Sequence, residues 1–114
     1  MHVPPAYRIA KLELANGRVP YDEWFEGLRD RKFQAAVDAR LTRVEAGNFG
    51  DHKSVGQGVW ELRLRIGPGL RAYYAIQDDR IVVLLGGGDK STQSRDIATA
   101  QKLWKDFENE TQGL

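Results

Sequence analysis

A short central segment of the sequence carries most of the side chains that could do chemistry. Its one acid is Glu61, and its basic residues are Lys53, Arg63, Arg65 and Arg71, so residues 53 to 71 have a local net charge of +3. Guanidinium groups match the oxygens of a phosphate in a bidentate geometry. Tyr73, just beyond the segment, could stack on a base or move a proton. The segment is a candidate phosphate-binding surface, although a solvated sheet face, with Glu61 paired to an arginine, explains the same residues.

Two predicted strands position these side chains. Residues 60 to 65 alternate between apolar and polar types, with Trp60, Leu62 and Leu64 set against Glu61, Arg63 and Arg65. A tight turn, Gly67-Pro68-Gly69, leads into a second alternating run from Leu70 to Ile76. Because successive strand residues point to opposite faces, the apolar set goes to the core. We expect Arg71 and Tyr73 to share the other, open face with the polar set.

A second candidate motif is GGGDKSTQ, residues 86 to 93. Glycines before a lysine and a helix start are typical of a phosphate cradle. The spacing of a nucleotide-binding loop is absent, however, because Asp89 stands where that motif needs a glycine. The alternative is a strand-to-helix turn in which Ser91 or Thr92 caps the helix. In either case Lys90 is expected near Arg71 and Tyr73.

The other elements follow from apolar periodicity and from turn residues. Residues 6 to 14 and the apolar run from Ile81 to Leu85 predict strands, and three glycines are expected to end the second one. Pro20 suits the start of a short helix, and a second helix is expected to end at Gly47. Residues 48 to 58 predict a polar loop, and a last helix is expected from about residue 92 to 108. The order β-α-α-β-β-β-α predicts a four-stranded α+β fold.

Composition excludes several classes of protein and site. The 114 residues suit one domain, residues 1–114, and 41% of them are apolar, as in folded proteins. The absence of cysteine excludes thiol catalysis and thiolate metal sites, and two histidines cannot make a zinc site without carboxylates in an unusual arrangement. The longest apolar run is too short to span a membrane, and no signal peptide is recognisable, so a cytoplasmic location is expected.

Three stretches of the sequence resemble a known family. They are GRVPYDEWFEGL, RLTRVEAGNFGDHKSVGQGVWELRLRIGPGLRAYYAI and IVVLLGGGDKSTQSRDIATAQKLW. The combination of GNFGD-x-K, ELR, GPG-x-R and GGDK-S-x-Q resembles the addiction-module killer proteins. These are HigB-like toxins of the RelE/ParE superfamily of type II toxin–antitoxin systems. The resemblance covers residues from about 7 to 107.

The resemblance implies a fold, a reaction and partners. The fold would be RelE-like: a twisted, mainly antiparallel sheet with a helical hairpin and a C-terminal helix. The activity would be that of a ribosome-dependent mRNA endoribonuclease that inhibits translation without a metal or another cofactor. The partners would be mRNA, the ribosome and a helix-turn-helix antitoxin, with no membrane and no small-molecule ligand.

The resemblance also implies roles for single residues. Arg63, Arg71, Tyr73 and Lys90 would be catalytic, the arginines by stabilising the phosphate transition state and Tyr73 by transferring a proton or stacking on a base. The neighbouring cations are expected to lower the pKa of Tyr73. Lys53 and Arg65 would bind RNA phosphates. Glu61 would orient an arginine or act as the base. Two alternatives stay open: a ParE-like toxin that inhibits DNA gyrase by protein contact, and an inactive relative that binds its antitoxin and tunes repression.

Overall fold

An open five-stranded sheet forms the middle layer of the protein in a computed structural model, which describes residues 5–112. The strands are β1 (Arg8–Lys11), β2 (His52–Gly56), β3 (Val59–Leu64), β4 (Leu70–Gln77) and β5 (Ile81–Asp89). Their order across the sheet is β1-β5-β4-β3-β2. Among the strands of residues 5–112, only the β1–β5 pair is parallel. The expected mixed α+β architecture with a mainly antiparallel sheet is confirmed.

In the part of the chain that the structure describes, three helices cover the two faces of the sheet. They are α1 (Pro20–Glu26), α2 (Arg31–Glu45) and α3 (Gln93–Gln112), and a 3-10 turn over Lys90–Thr92 leads into the last one. Asp30 caps α2 by accepting a hydrogen bond from the Lys32 backbone N–H at 2.8 Å. Among the helices described, none is both long and apolar enough to cross a membrane.

The helical hairpin and α3 bury different sets of sheet residues. On the hairpin face, Val37 and Val44 of α2 pack in one cluster with Leu62, Leu64, Tyr74 and Leu84. On the opposite face, Ala100 and Trp104 of α3 pack in a second cluster with Val59, Tyr73, Val83 and Leu85. Alternate residues of β3, β4 and β5 therefore enter separate clusters, as their period of two requires.

The prediction of four strands was wrong, because residues 52 to 56 form a fifth strand. β2 pairs antiparallel with β3, but its residues are mostly exposed and show no apolar alternation. An edge strand needs only backbone pairing on one side, so polar residues serve as well as apolar ones. The sequence pattern of residues 48 to 58 therefore resembled that of a loop.

The expectation that the three glycines end β5 was also wrong. The strand continues through Gly86–Gly88 to Asp89, with a register shift opposite Tyr73 and Tyr74. A Cβ at Gly87 would collide with the indole of Trp24, and one at Gly88 would collide with the carboxylate of Asp96. Helices approach the strand closely from both faces there, and that approach requires residues without side chains.

Candidate functional site

A buried carboxylate, Glu61, lies at the centre of the candidate site. Its side chain is fully inaccessible on β3, in the face that α3 covers. One oxygen, Oε1, accepts a hydrogen bond from Arg63 Nε at 2.9 Å. The other, Oε2, accepts from Gln93 Nε2 at 3.0 Å and from the Tyr73 hydroxyl at 3.2 Å. Arg71 Nε lies 3.6 Å from Oε2. We call these residues the Glu61 cluster: Glu61, Arg63, Arg71, Tyr73 and Gln93.

The cluster keeps Glu61 ionised. Burial alone raises the pKa of a carboxyl, because it disfavours the charged form. Hydrogen bonds from Gln93, Arg63 and Tyr73, together with the charge of Arg71, outweigh that effect, so the pKa of Glu61 lies below its ordinary value. A buried carboxylate with a lowered pKa is a poor proton acceptor. The geometry therefore favours the orienting role over the role of base.

Arg63 and Arg71 are directly opposite each other in the antiparallel β3–β4 pair. Like charges at such positions repel, and Glu61 offsets one of the two charges. The three side chains together keep a formal charge of +1. The Arg63 side chain is 30% exposed and that of Arg71 is 12% exposed, so both are within reach of solvent.

The glycine turn between β3 and β4 holds Arg71 and Lys90 beside each other. Gly69 has a φ of +81°, and its carbonyl accepts a hydrogen bond from Arg71 Nη1 at 2.8 Å. A Cβ at Gly69 would lie 3.1 Å from Arg71 Nη1 and 3.4 Å from Lys90 Cβ. A side chain at position 69 would crowd the Arg71 guanidinium and touch the base of the Lys90 side chain. The prediction that Lys90 lies near Arg71 is confirmed.

Tyr73 was predicted to lie on an open face of the sheet. That prediction was wrong, because α3 covers this residue. Its side chain is 1% exposed and packs in the cluster that contains Ala100 and Trp104. The expected fall in its pKa is also wrong: burial first, and then the charge and hydrogen bond of Glu61, raise the pKa of the phenol. In this arrangement Tyr73 donates to Glu61 and has little surface for a base to stack on.

Lys53 and Arg65 lie at the margin of the cluster. Lys53 is the cross-strand partner of Glu61 in the β2–β3 pair, and Tyr73 is the partner of Glu61 on its other side. Lys53 is exposed. Arg65 follows the end of β3, and its side chain is 88% exposed, with Nε 3.5 Å from Asp51 Oδ2. The predicted common face is thus confirmed for Glu61, Arg63, Arg71 and Tyr73, while the roles of all these residues stay predictions.

Two contacts in the turn into α3 differ from what the sequence pattern predicted: the cap of the helix and the hydrogen bond of Gln93. Asp89, and not Ser91 or Thr92, is the cap: its carboxylate accepts from the Ser91 backbone N–H at 2.8 Å. Thr92 closes the reciprocal contact with the Asp89 backbone N–H at 3.3 Å and also donates to Asp96. An aspartate before K-S-T is itself a capping signal. Nothing in the periodicity of α3 indicated that Gln93 reaches Glu61.

Asp51 and His52, which follow each other in the sequence, do not form an acid–base pair. His52 pairs with Leu62 and so belongs to the face opposite Glu61, and its Nδ1 lies 2.8 Å from the Gly50 carbonyl oxygen. Within the described residues, 5–112, no three His, Asp or Glu side chains gather in a way that would hold a metal ion.

Comparisons with known proteins place the whole cluster in a shared region. The profile of the family described as "Phage derived protein Gp49-like (DUF891)" matches residues 23–105, which contain every residue of the Glu61 cluster and Lys90. An uncharacterized protein of Haemophilus influenzae is 46% identical over 83 residues, which are 73% of this chain and 84% of the relative.

Proposed function

The chain belongs to the phage-derived Gp49-like family, a toxin-like family of the toxin–antitoxin type, and from that premise we propose that it is the toxin of a type II system. We further propose a HigB-like, RelE-like toxin, in keeping with the ELR, GPG-x-R and GGDK motifs. Its action would be ribosome-dependent cleavage of mRNA, which inhibits translation.

One observation carries the proposal of a nuclease. Two guanidinium groups lie on opposite strand positions, share one buried carboxylate and remain partly exposed. Arginine forks bind the non-bridging oxygens of a phosphate bidentately. Preorganised cations of this kind stabilise the negative charge that develops on a phosphorane. A purely structural ion pair would need only one arginine for one carboxylate.

The proposed reaction is an internal transesterification. The 2′-oxygen forms a bond to the adjacent phosphorus, and the bond from phosphorus to the 5′-oxygen breaks, which leaves a cyclic phosphate and a free 5′-hydroxyl. The proton of the 2′-hydroxyl passes to a base, and the 5′-oxygen takes up a proton. This chemistry needs positioning, charge stabilisation and proton transfer, and it requires no cofactor.

Each residue has a role in this proposal. Arg63 and Arg71 bind the scissile phosphate, and Lys90, next to Arg71, supplies charge or a proton to the leaving oxygen. Glu61 orients the two arginines. Tyr73, buried against α3, serves as a positioning residue through its hydrogen bond to Glu61. Lys53 and Arg65 contact neighbouring phosphates from exposed positions.

The proposed partners follow from the proposed reaction. A toxin that cleaves translated message works on the ribosome in the cytoplasm. A helix-turn-helix antitoxin would neutralise it, and the pair would repress its own operon. These partners are expected for a type II toxin of this kind.

Inducible expression of the wild type and of Arg71→Ala tests the proposal, with primer extension on an abundant mRNA as the readout. The wild type should stop growth and produce new 5′ ends on translated message, and Arg71→Ala should do neither. Arg80→Ala is the matched control, because Arg80 is an exposed arginine in the β4–β5 turn. It should behave like the wild type.

Two outcomes would overturn the nuclease proposal. If growth stops while message stays intact, the target lies elsewhere, and a gyrase supercoiling assay tests the ParE-like alternative. If growth continues with soluble protein in the cell, the chain is not an active toxin, and the alternative of an inactive antitoxin-binding partner remains.

A further inference from the structure

The side chains of Gln93 and Arg71 both approach the same oxygen of Glu61. Glu61 Oε2 accepts hydrogen bonds from Gln93 at 3.0 Å and from Tyr73 at 3.2 Å. A carboxylate oxygen has two lone pairs, so these two donors saturate Oε2. Arg71 Nε stays 3.6 Å away, beyond hydrogen-bond distance, although it is the charged donor of the three.

The Nε–H group of Arg71 is left without a hydrogen-bond acceptor. Among the described residues, Arg71 Nε is a buried atom that has no hydrogen-bond partner. Buried donors in proteins are nearly always paired, and an unpaired one costs free energy. The guanidinium is held in place instead by Nη1, which donates to Gly69 at 2.8 Å.

We propose that Gln93 is a positioning residue that keeps Arg71 from closing a hydrogen bond to Glu61. By saturating Oε2, Gln93 maintains Arg71 as an incompletely neutralised cation that is available to a phosphate. A charge-assisted hydrogen bond between Arg71 and Glu61 would be shorter and stronger than the present contact. It would also satisfy the arginine with a carboxylate of the protein and reduce its attraction for a ligand.

The proposal predicts an unusual pattern for Gln93→Ala. Loss of the amide frees one lone pair of Oε2, and Arg71 Nε moves into hydrogen-bond distance. Cleavage should fall about tenfold, the change expected when one hydrogen bond to a charged group is redirected. The unfolding midpoint in denaturant should stay the same or rise, because a stronger ion pair replaces the lost hydrogen bond.

Gln101→Ala is the matched control. Gln101 is also a glutamine of α3, and its Nε2 donates to the Val55 carbonyl at 2.9 Å, away from the Glu61 cluster. Both substitutions remove one hydrogen bond between α3 and the sheet. Gln101→Ala should lower the unfolding midpoint and leave cleavage per folded molecule unchanged.

Tyr73→Phe is a second variant with the same prediction. It removes the other donor to Oε2 and keeps the buried ring, so it should also let Arg71 approach. A fall in cleavage comparable to that of Gln93→Ala is expected, with the Arg71 Nε–H signal shifted in the same direction.

The experiment combines NMR of the arginine Nε–H groups, denaturant unfolding and cleavage in a reconstituted translation reaction. Only the cleavage measurement rests on the proposed function. The NMR signal of Arg71 and the unfolding midpoint can be measured whether or not the protein is a nuclease. A downfield shift of the Arg71 Nε–H signal in Gln93→Ala but not in Gln101→Ala is the expected result.

An unshifted Arg71 signal in Gln93→Ala, or an unfolding midpoint that falls in step with cleavage, would overturn the inference and leave Gln93 a plain clamp for α3. If the wild type cleaves no message while the Arg71 signal still shifts, the proposed nuclease function fails and the positioning role stands.

Discussion

The two faces of the sheet are covered by helices in different ways. Beneath the helical hairpin, residues such as Leu62 and Tyr74 meet the apolar side chains of α2, and the contacts are those of an ordinary core. Beneath α3, an apolar cluster around Trp104 borders a buried carboxylate and two arginines. The first face contributes stability through apolar burial. The second holds like charges close together, an arrangement that packing alone does not require.

The difference between the faces also shows in what each helix does for the sheet. α2 contributes Val37 and Val44 to the core. α3 contributes Trp104 and Ala100 to packing but also brings Gln93 and Asp96 to the polar end of the sheet. The same helix is thus a packing element along most of its length and a positioning element in its first turn.

Leu62→Ala gives the largest expected effect, and it should act on stability alone. Leu62 is fully buried on the hairpin face. Truncation of such a leucine leaves a cavity and lowers the free energy of unfolding by about 2–5 kcal/mol. Denaturant unfolding measures the loss, and cleavage per folded molecule should match the wild type. A loss of cleavage in fully folded Leu62→Ala would erase the contrast between the faces.

Glu61→Gln should affect both stability and the site. The substitution keeps the shape of the side chain but removes the charge between Arg63 and Arg71, so the arginines repel without compensation. We expect the free energy of unfolding to fall by about 1–3 kcal/mol, with a loss of cleavage that Leu62→Ala does not show. A variant as stable and active as the wild type would mean that the carboxylate charge is irrelevant.

The Glu61→Gln variant also tests how the free energy of unfolding depends on pH. The pKa of Glu61 is lowered in the folded protein, so its stabilising contribution is complete above the pKa of an unfolded glutamate, about 4.3. The contribution is lost as the pH falls through the lower pKa of the folded state. The difference in unfolding free energy between wild type and Glu61→Gln should therefore be constant above about pH 5.5 and shrink at lower pH. A difference that grows on acidification would contradict the ionised state of Glu61.

Gly88→Ala tests whether the first turn of α3 must lie close to β5. The added methyl would occupy the space of the Asp96 carboxylate and approach Thr92. We expect a loss of about 1–3 kcal/mol in unfolding free energy and reduced cleavage, because Gln93 moves with the helix. The double variant Gly88→Ala/Asp96→Ala has room for the methyl and should recover most of both. Failure of that recovery would show that the clash with the Asp96 carboxylate is not the cause.

Lys53→Ala and Arg65→Ala give the smallest expected effects. Both side chains are exposed, and the contact of Arg65 with Asp51 is a surface ion pair, which contributes less than about 1 kcal/mol. Stability should hardly change. If each residue contacts one phosphate, ribosome binding should weaken, and the slope of log affinity against log salt should fall by about one for each variant. An unchanged salt slope would remove both residues from the interface.

The alternation of β3 and β4 was sufficient to predict which residues share a face, because the period of two is a local property. It placed Leu62 in the core, and it placed Glu61, Arg63 and Arg71 together, but it could not place Lys53, which lies in the strand that was predicted to be a loop. It did not predict which helix covers which face, so Tyr73 was expected to be open. Whether Tyr73 is covered depends on the path of α3, which begins some twenty residues further along the chain, at Gln93.

The misjudged glycines illustrate a second limit of sequence patterns. Gly87 and Gly88 were expected to end a strand, since glycine is a common breaker. Glycine is needed at these two positions because Trp24, far earlier in the chain, lies against Gly87, and Asp96, in the next helix, lies against Gly88. β2 escaped prediction for the opposite reason, because an exposed edge strand has no apolar pattern to detect.

A parallel measurement on Arg71→Ala and Leu62→Ala tests the central claim most directly. Purified proteins are added to a reconstituted translation reaction, cleavage is scored as new 5′-hydroxyl ends per folded molecule, and stability is measured on the same samples. We predict that Arg71→Ala loses cleavage by about a hundredfold or more, whereas its unfolding free energy falls less than that of Leu62→Ala, because Arg63 still pairs with Glu61. Leu62→Ala should show the reverse. If Arg71→Ala cleaves as well as the wild type, the α3 face is not the catalytic site.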